Sequence, residues 1–157
     1  MWIGTFGGGI NLAEDTPGGI KFKRFFFDDG NRSYIRYIYQ DSKDRIWAGS
    51  SDGIILFNPE ELIKNPKAYK TYRMNLNKKN GINCNDIKTI FEDGEGIIWI
   101  GTAGGGLNKF VPATAEYDEH FIAYTTANGL SGDFVSGIQE DKEHNLWTVS
   151  YTHLRLP

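Results

Sequence analysis

Short apolar runs separated by glycine-rich turns dominate the chain, and the clearest pair spans residues 97–110. This stretch has an apolar run around Trp99, a turn with three consecutive glycines, and a second apolar run. The pattern predicts two antiparallel strands joined by a tight connection. The same pattern opens the chain at residues 1–12, returns at residues 46–57, and begins once more at Leu146.

The tryptophans mark the repeat, because all four fall at one equivalent position: Trp2, Trp47, Trp99 and Trp147. Successive tryptophans are 45, 52 and 48 residues apart. An aromatic residue that recurs every 40–50 residues or so in strand-rich sequence is typical of a propeller. Residues 59–67 account for the longest spacing, since they form an insertion with Pro59 at the first position of a predicted helical turn.

Each complete repeat is predicted to hold four short strands, which is the plan of one propeller blade. The sequence therefore predicts an all-β fold of four-stranded antiparallel blades, an incomplete propeller of about three to four blades. We divide the chain into a partial blade without its first strand (residues 1–33), a blade with the insertion (34–84), a blade (85–133) and the start of another (134–148). Because both ends interrupt a repeat, we expect the sequence to belong to a longer protein.

Composition narrows the classes of function. The net charge is −3, and the 17 lysines and arginines are scattered, so the basic face of a nucleic-acid-binding protein is not predicted. A single cysteine, Cys84, excludes an intrachain disulfide. No run of about 18 apolar residues indicates a membrane span, so contact with a membrane is expected only through the rest of the parent protein.

The tryptophans could form a platform on which sugar rings stack, because aromatic faces suit carbohydrate rings. A structural role fits their placement better. Each has an isoleucine or leucine beside it, as a ring buried between two blades would need. We therefore interpret all four tryptophans as core residues.

The glycine runs could suggest a phosphate-binding loop. The run at residues 101–106 lacks the Gly-Lys-Ser/Thr ending of such loops, and it recurs at residues 4–9. A unique nucleotide site would not recur in this way. We interpret these runs as the turns of hairpins.

The turn at Asp93 could suggest a calcium loop, but the full ligand series and its distal glutamate are absent. Asp41 and Asp141 recur at the same place, six residues before a tryptophan. We predict that these aspartates cap turns through hydrogen bonds from backbone to side chain. The histidines show no metal-ligand spacing and no nucleophile signature occurs, so we predict no catalytic residue, metal or cofactor in this segment.

These repeats resemble the two-component regulator propeller repeat, whose general form is I-x-x-I-x-E-D-x-x-G-x-I-W-I-G-T-x-x-G-G-L-x-x-F. Residues 87–102 match its first part, and Gly105, Gly106, Leu107 and Phe110 complete it. The resemblance covers residues 1–148. Residues 149–157 depart from the motif and resemble translated adapter or vector sequence, so we expect this tail to be non-native.

The resemblance implies a periplasmic sensor propeller of a bacterial hybrid two-component histidine kinase. Such propellers respond to glycan-derived ligands, so the expected partners are an oligosaccharide, the remaining blades and a second copy of the parent protein. On this interpretation the segment itself is not an enzyme, although its parent is a histidine kinase. Two alternatives stay open: a propeller-type polysaccharide hydrolase or lyase, and a scaffold for protein interaction or dimerisation.

Topology predicts where a ligand would bind. With up-and-down strands, the loops between second and third strands leave the blades at the same face as the segments that join one blade to the next. Binding residues usually lie on loops held by a rigid scaffold. The polar and aromatic residues of the joining segments are therefore the candidate ligand contacts: Arg32, Tyr34, Asn83, Asn85 and Asp133.

Overall fold

The computed structural model describes residues 1–25, 27 and 34–150. Short strands make up most of it, with one helix and one short 3-10 turn. In chain order the elements are β1 (Trp2–Gly4), β2 (Ile10–Thr16), β3 (Gly19–Phe25), β4 (Ile35–Gln40), β5 (Ile46–Ser50), β6 (Gly53–Phe57), α1 (Pro59–Lys64), β7 (Tyr69–Tyr72), β8 (Ile87–Glu92), β9 (Ile98–Thr102), β10 (Leu107–Val111), β11 (His120–Tyr124), the 3-10 turn (Thr126–Asn128), β12 (Val135–Glu140) and β13 (Leu146–Ser150).

The strands form four antiparallel sheets in which each strand pairs with its neighbour along the chain. Sheet 1 has the order β1-β2-β3, sheet 2 β4-β5-β6-β7, sheet 3 β8-β9-β10-β11 and sheet 4 β12-β13. The predicted all-β fold with four-stranded antiparallel blades is confirmed. The residue limits that we assigned to the individual blades stay a prediction.

Consecutive sheets pack against each other, and their first strands converge. Strand β4 contacts β8, and β8 contacts β12. One apolar core lies between sheets 1 and 2 and includes Ile10, Phe25, Ile35 and Phe57. A second lies between sheets 2 and 3 and includes Trp47, Ile87, Phe110 and Phe121. Each sheet thus contributes apolar residues to the layer that it shares with its neighbour, as in consecutive propeller blades.

A glycine two residues after each of the first three tryptophans allows this close approach. A Cβ on Gly49 would lie 2.6 Å from the Ile87 side chain. A Cβ on Gly101 would lie 2.6 Å from the carbonyl oxygen of Val135. In both cases the obstructing residue belongs to the first strand of the following sheet. The missing side chain at the glycine therefore lets the next sheet pack closely.

Substituting Gly101 tests the importance of this close packing. We expect Gly101→Ala to lower the free energy of unfolding by about 1–3 kcal/mol, because the new methyl group meets fixed backbone and must push sheet 4 away. Gly18→Ala is the matched control, since a Cβ there would meet nothing within 4 Å. Urea denaturation measures both variants. Equal stability of Gly101→Ala and Gly18→Ala would show that the close approach does not matter.

Hydroxyl groups hold the loops between second and third strands. Thr5, Ser50 and Thr102 each donate a hydrogen bond to the carbonyl oxygen of a glycine that precedes or begins the third strand. That glycine has a positive φ at Gly53 (100°) and Gly106 (69°), a conformation that side chains disfavour. The recurrent Gly-Thr and glycine runs are therefore turn chemistry, as the sequence predicted.

The aspartates at these turns cap them, as the sequence predicted. Each also accepts a hydrogen bond from a tryptophan indole, which the sequence did not predict. Asp41 Oδ1 accepts from the backbone N–H groups of Lys43 (3.0 Å) and Arg45 (2.9 Å). Its Oδ2 accepts from Nε1 of Trp47 at 2.8 Å. The same pair of contacts recurs at Asp93 and Asp141 with their own tryptophans. The six-residue spacing thus lets one carboxylate bind both the turn and the indole.

The prediction that all four tryptophans are buried is right for Trp47 and wrong for Trp147. Trp47 has no exposed surface, Trp2 and Trp99 are half-buried, and Trp147 is 66% exposed. Phe110 of sheet 3 covers the Trp47 ring. Among the described residues, sheet 4 has two strands and no sheet packs beyond it, so nothing provides the corresponding cover for Trp147.

A glutamate at the end of the first strand joins neighbouring sheets. Glu92 of β8 accepts hydrogen bonds from the backbone N–H (2.7 Å) and the hydroxyl (2.6 Å) of Ser42, in the turn after β4. Glu140 of β12 accepts from the backbone N–H of Gly94 at 2.6 Å, in the turn after β8. Each glutamate therefore binds the equivalent turn of the preceding sheet.

Acid is expected to destabilise the fold through Asp41. Burial alone would raise the pKa of this carboxyl, but hydrogen bonds from Trp47 and Arg45 and the charge of Arg45 hold the pKa below its ordinary value of 3.8. Because the folded pKa is the lower one, the carboxylate's contribution to stability is complete above the ordinary pKa and is lost as pH falls through the folded pKa.

Urea denaturation over a range of pH checks this expectation with Asp41→Asn as the reference, since asparagine does not titrate. Wild type should lose more stability than Asp41→Asn between about pH 5 and about pH 2. Parallel losses in the two proteins would contradict a role for Asp41.

The insertion forms a helix shorter than predicted. Helix α1 covers Pro59–Lys64, whereas the sequence predicted a helical turn over residues 59–67. The Asn58 side chain accepts from the backbone N–H groups of Glu60 and Glu61, which caps the first turn. Leu62 is fully buried in the core between sheets 1 and 2, so the insertion is anchored to the propeller.

Candidate ligand-binding face

The loops between second and third strands meet the segments that join the sheets. We call this surface the loop face, formed by residues 5–9, 51–53 and 103–106 together with residues 81–86 and 130–134. The carbonyl oxygen of Asp133 accepts from the N–H groups of Gly104 (2.9 Å) and Gly106 (2.8 Å). The carbonyl oxygen of Asn85 accepts from Gly53 N–H at 2.7 Å. These bonds tie each loop to the segment that leads into the next sheet.

Asn83 lies at the centre of this arrangement in sheet 3. Its Nδ2 donates to the carbonyl oxygen of Gly105 at 2.8 Å. Its Oδ1 accepts from Nδ2 of the fully buried Asn108 at 2.9 Å. Both ends of the Asn83 amide therefore hold the glycine loop.

Asn85 and Asp133 also bind neighbouring backbone. Asn85 Oδ1 accepts from the N–H of Met74 at 2.6 Å. Asp133 accepts from the N–H (2.7 Å) and the hydroxyl (3.1 Å) of Thr126, which begins the 3-10 turn. Asn83, Asn85 and Asp133 thus all lie at the loop face and shape its loops. Direct contact between these three residues and a ligand stays a prediction.

Tyr34 is the aromatic residue among the predicted ligand contacts, and its ring is partly accessible. It is 37% exposed, and its ring centroid lies 4.1 Å from that of Phe6, which is 75% exposed. The two residues also form a backbone bridge between the first loop and the residue that precedes β4. Arg32, the remaining predicted contact, lies outside the residues that the structure describes.

A line of charged groups that the sequence pattern did not indicate lies near the start of the first strands of sheets 2 and 3. Asp86 forms ion pairs with Arg36 (2.5 Å) and with Lys88 (3.3 Å). The Lys88 ammonium also lies 5.5 Å from the ring centroid of Phe134. Arg36 and Lys88 occupy equivalent positions, one residue after the first buried residue of each strand. This equivalence was the signal that could have identified them.

The loop face thus presents exposed rings, amide groups and partly exposed ions. Within residues 1–25, 27 and 34–150, no cluster of three histidine, cysteine or acidic side chains could hold a metal ion. In that same part of the chain, no helix has the length and apolar content that a membrane crossing requires.

Parts of the chain match a known protein family and a curated protein. Residues 29–52 and 81–104 match the family model described as the two component regulator propeller. Histidine kinase P4 of Formosa agariphila is 28% identical over 155 residues, which are 96% of this chain and 11% of that protein. The chain therefore spans about a tenth of its curated relative.

Two solved structures from B. thetaiotaomicron have the same fold. Both are described as extracellular domains of hybrid two-component systems. One is 26% identical with a TM-score of 0.69, over 96% of this chain and 21% of that one. The other is 21% identical with a TM-score of 0.66, over 94% of this chain and 18% of that one. The chain thus matches the two component regulator propeller model in two segments and folds as consecutive blades of a β-propeller.

Proposed function

We propose that this chain is part of the extracytoplasmic sensor propeller of a two-component regulator. The observation that carries the proposal is the repeated blade, which matches the family at two segments and resembles extracellular domains of hybrid two-component systems. A histidine kinase as the parent agrees with the curated relative. A periplasmic location follows from the same proposal, since the sensor faces away from the kinase.

The proposed ligand is a glycan fragment bound at the loop face. The exposed rings of Phe6 and Tyr34 support this, because sugar rings stack on aromatic faces. The Arg36–Asp86–Lys88 line lies at the starts of β4 and β8, and its side chains are partly exposed. Sugar hydroxyl groups can exchange hydrogen bonds with such charged groups. In this proposal the segment binds the ligand without converting it.

The experiment uses the intact parent protein in membranes or detergent. Calorimetry with a panel of neutral oligosaccharides measures binding, kinase autophosphorylation measures signalling, and chromatography of the sugar measures turnover. Binding that changes autophosphorylation without turnover supports the proposal. Turnover of the sugar would overturn it in favour of an enzyme, and absence of both binding and signalling would overturn it in favour of a scaffold.

Two variants test the loop face. We expect Tyr34→Ala to weaken binding about tenfold, which is the scale of one lost aromatic contact of about 1.4 kcal/mol. Tyr117→Ala is the matched control, because this tyrosine is also exposed but precedes β11 at the opposite end of sheet 3. Equal effects of the two variants would remove the loop face from the proposal.

A further inference from the structure

Two Asn-Gly pairs lie in the segments that join one sheet to the next. Asn80–Gly81 lies between β7 and β8, and Asn128–Gly129 lies between β11 and β12. In such a pair the backbone nitrogen of the glycine can attack the side-chain amide of the asparagine, because glycine has no Cβ to obstruct the approach. The sequence is the same at both pairs, but their surroundings differ.

The side chain of Asn128 is held in place. Its Oδ1 accepts from the backbone N–H of Thr125 at 3.0 Å and lies 3.4 Å from the Thr125 hydroxyl. Asn128 ends the 3-10 turn, and Thr126 at the start of that turn is bound to Asp133. The amide of Asn128 therefore has to break its own hydrogen bonds before it can turn towards the nitrogen of Gly129.

The side chain of Asn80 has no such restraint. Asn80 is exposed, and its amide has no hydrogen-bond partner in the part of the chain that the structure describes. The Gly81 N–H donates to the carbonyl oxygen of Lys78 at 3.1 Å, and this one bond of an exposed turn must open before the nitrogen can react. Sheets 2 and 3 on either side of the turn both have four strands, so its surroundings belong to this chain.

We propose that Asn80–Gly81 is a site of self-modification, at which the asparagine loses its amide as ammonia, and that Asn128–Gly129 is protected. The Gly81 nitrogen gives its proton to hydroxide and forms a bond to Cγ of Asn80. The bond from Cγ to Nδ2 breaks, and ammonia leaves with a proton from water, which restores the hydroxide. Water then opens the cyclic succinimide. Addition at Cγ produces aspartate, and addition at the backbone carbonyl carbon produces isoaspartate.

Isoaspartate changes the contact between this segment and sheet 3. The backbone carbonyl oxygen of Asn80 accepts from the N–H of Phe121, in β11, at 2.9 Å. In isoaspartate this carbonyl becomes a free carboxylate, and the backbone runs through an added methylene group instead. Ile82 is buried in the core between sheets 2 and 3, and Asn83 holds the glycine loop of the loop face. The lengthened backbone therefore loosens the segment just before both anchors.

The test is ageing of the intact parent protein at mildly alkaline pH, followed by peptide mapping with mass spectrometry. Electron-transfer fragmentation distinguishes aspartate from isoaspartate. We expect conversion at Asn80, at a rate that rises about tenfold per pH unit with the ionised fraction of the nitrogen. Conversion at Asn128 should be at least about tenfold slower, which corresponds to a barrier higher by about 1.4 kcal/mol. Equal rates at the two asparagines would overturn the proposal.

Gly81→Ala tests the mechanism. Gly81 has no positive φ, and a Cβ there would lie 3.4 Å from the carbonyl oxygen of Lys78, so we expect the variant to fold. The methyl group obstructs the attacking nitrogen and should slow conversion of Asn80 about tenfold or more. Gly18→Ala, where a Cβ would meet nothing within 4 Å, should leave that rate unchanged. Circular dichroism checks the fold of each variant, and conversion of Gly81→Ala at the wild-type rate would contradict the succinimide route.

Amide hydrogen exchange at Phe121 tests the structural effect. Ion-exchange chromatography separates the isoaspartate form, because it carries one more negative charge than the unmodified protein. Asn80→Asp is the matched control, since it has the same charge and an ordinary backbone. We expect faster exchange in the isoaspartate form and wild-type exchange in Asn80→Asp, whereas equal protection in both would overturn the effect on this contact. None of these measurements uses a ligand, so their failure leaves the sensor proposal standing.

Discussion

Replacing Trp47 with alanine should lower the free energy of unfolding by about 3–5 kcal/mol. The ring has no exposed surface and packs against Tyr72 (6.2 Å between centroids) and Phe110 (5.1 Å). Phe110 belongs to sheet 3, so the substitution opens a cavity in the layer that joins sheets 2 and 3. It also removes the indole that donates to the buried Asp41 carboxylate.

Trp147→Ala is the matched control because Trp147 makes the same hydrogen bond, to Asp141, but is 66% exposed. We expect it to change the free energy of unfolding by less than about 1 kcal/mol. Urea denaturation followed by circular dichroism measures both variants. If Trp47→Ala were as stable as Trp147→Ala, the apolar core between sheets 2 and 3 would not contribute to stability as expected.

Asp41→Ala should also be damaging, at about 2–4 kcal/mol, because it removes a buried carboxylate and leaves several hydrogen-bond donors without an acceptor. Arg45 Nη2 lies 2.7 Å from the Asp41 carboxylate and would lose its counter-ion. The Trp47 N–H would be left buried without its acceptor. Two backbone N–H groups of the turn would also lose the oxygen that orders them.

Asp141→Ala shows how much of the stability loss comes from the turn hydrogen bonds and how much from the buried carboxylate. Asp141 caps the equivalent turn and accepts from Trp147, but this turn is exposed and has the uncharged Asn145 in place of Arg45. We expect a smaller loss of stability than for Asp41→Ala in the same urea measurement. If both variants lose the same stability, turn geometry rather than the buried charge explains the role of this aspartate.

Local pattern predicted the strands well, because each strand and turn repeats at known positions relative to a tryptophan. The recurrence of Asp41, Asp93 and Asp141 was enough to predict capped turns. It did not reveal the indole contact, which needs the strand after the turn to fold back over the carboxylate. Burial of Trp147 was predicted wrongly because burial depends on what packs against a sheet, and repeat position does not report that.

The candidate site was predictable as a surface but not as a set of contacts. Topology correctly placed the segments of Asn83 and Asp133 against the glycine loops. The pairing of Arg36 with Asp86 could not be foreseen, since the two residues are 50 positions apart and Asp86 precedes the first strand of a different sheet. Pairing across sheets depends on their packing angle, which a strand pattern does not contain.

The glutamate contacts between sheets bear on how such a ring changes its number of blades. Glu92 and Glu140 bind the same turn position of the preceding sheet, although the two turns differ in sequence. Each joint uses a backbone N–H, which every non-proline residue provides. Duplication of the repeat that forms sheet 3 would therefore supply a new joint with both its acceptor, Glu92, and its donor, the N–H of Gly94. Insertion of part of a repeat would break that match.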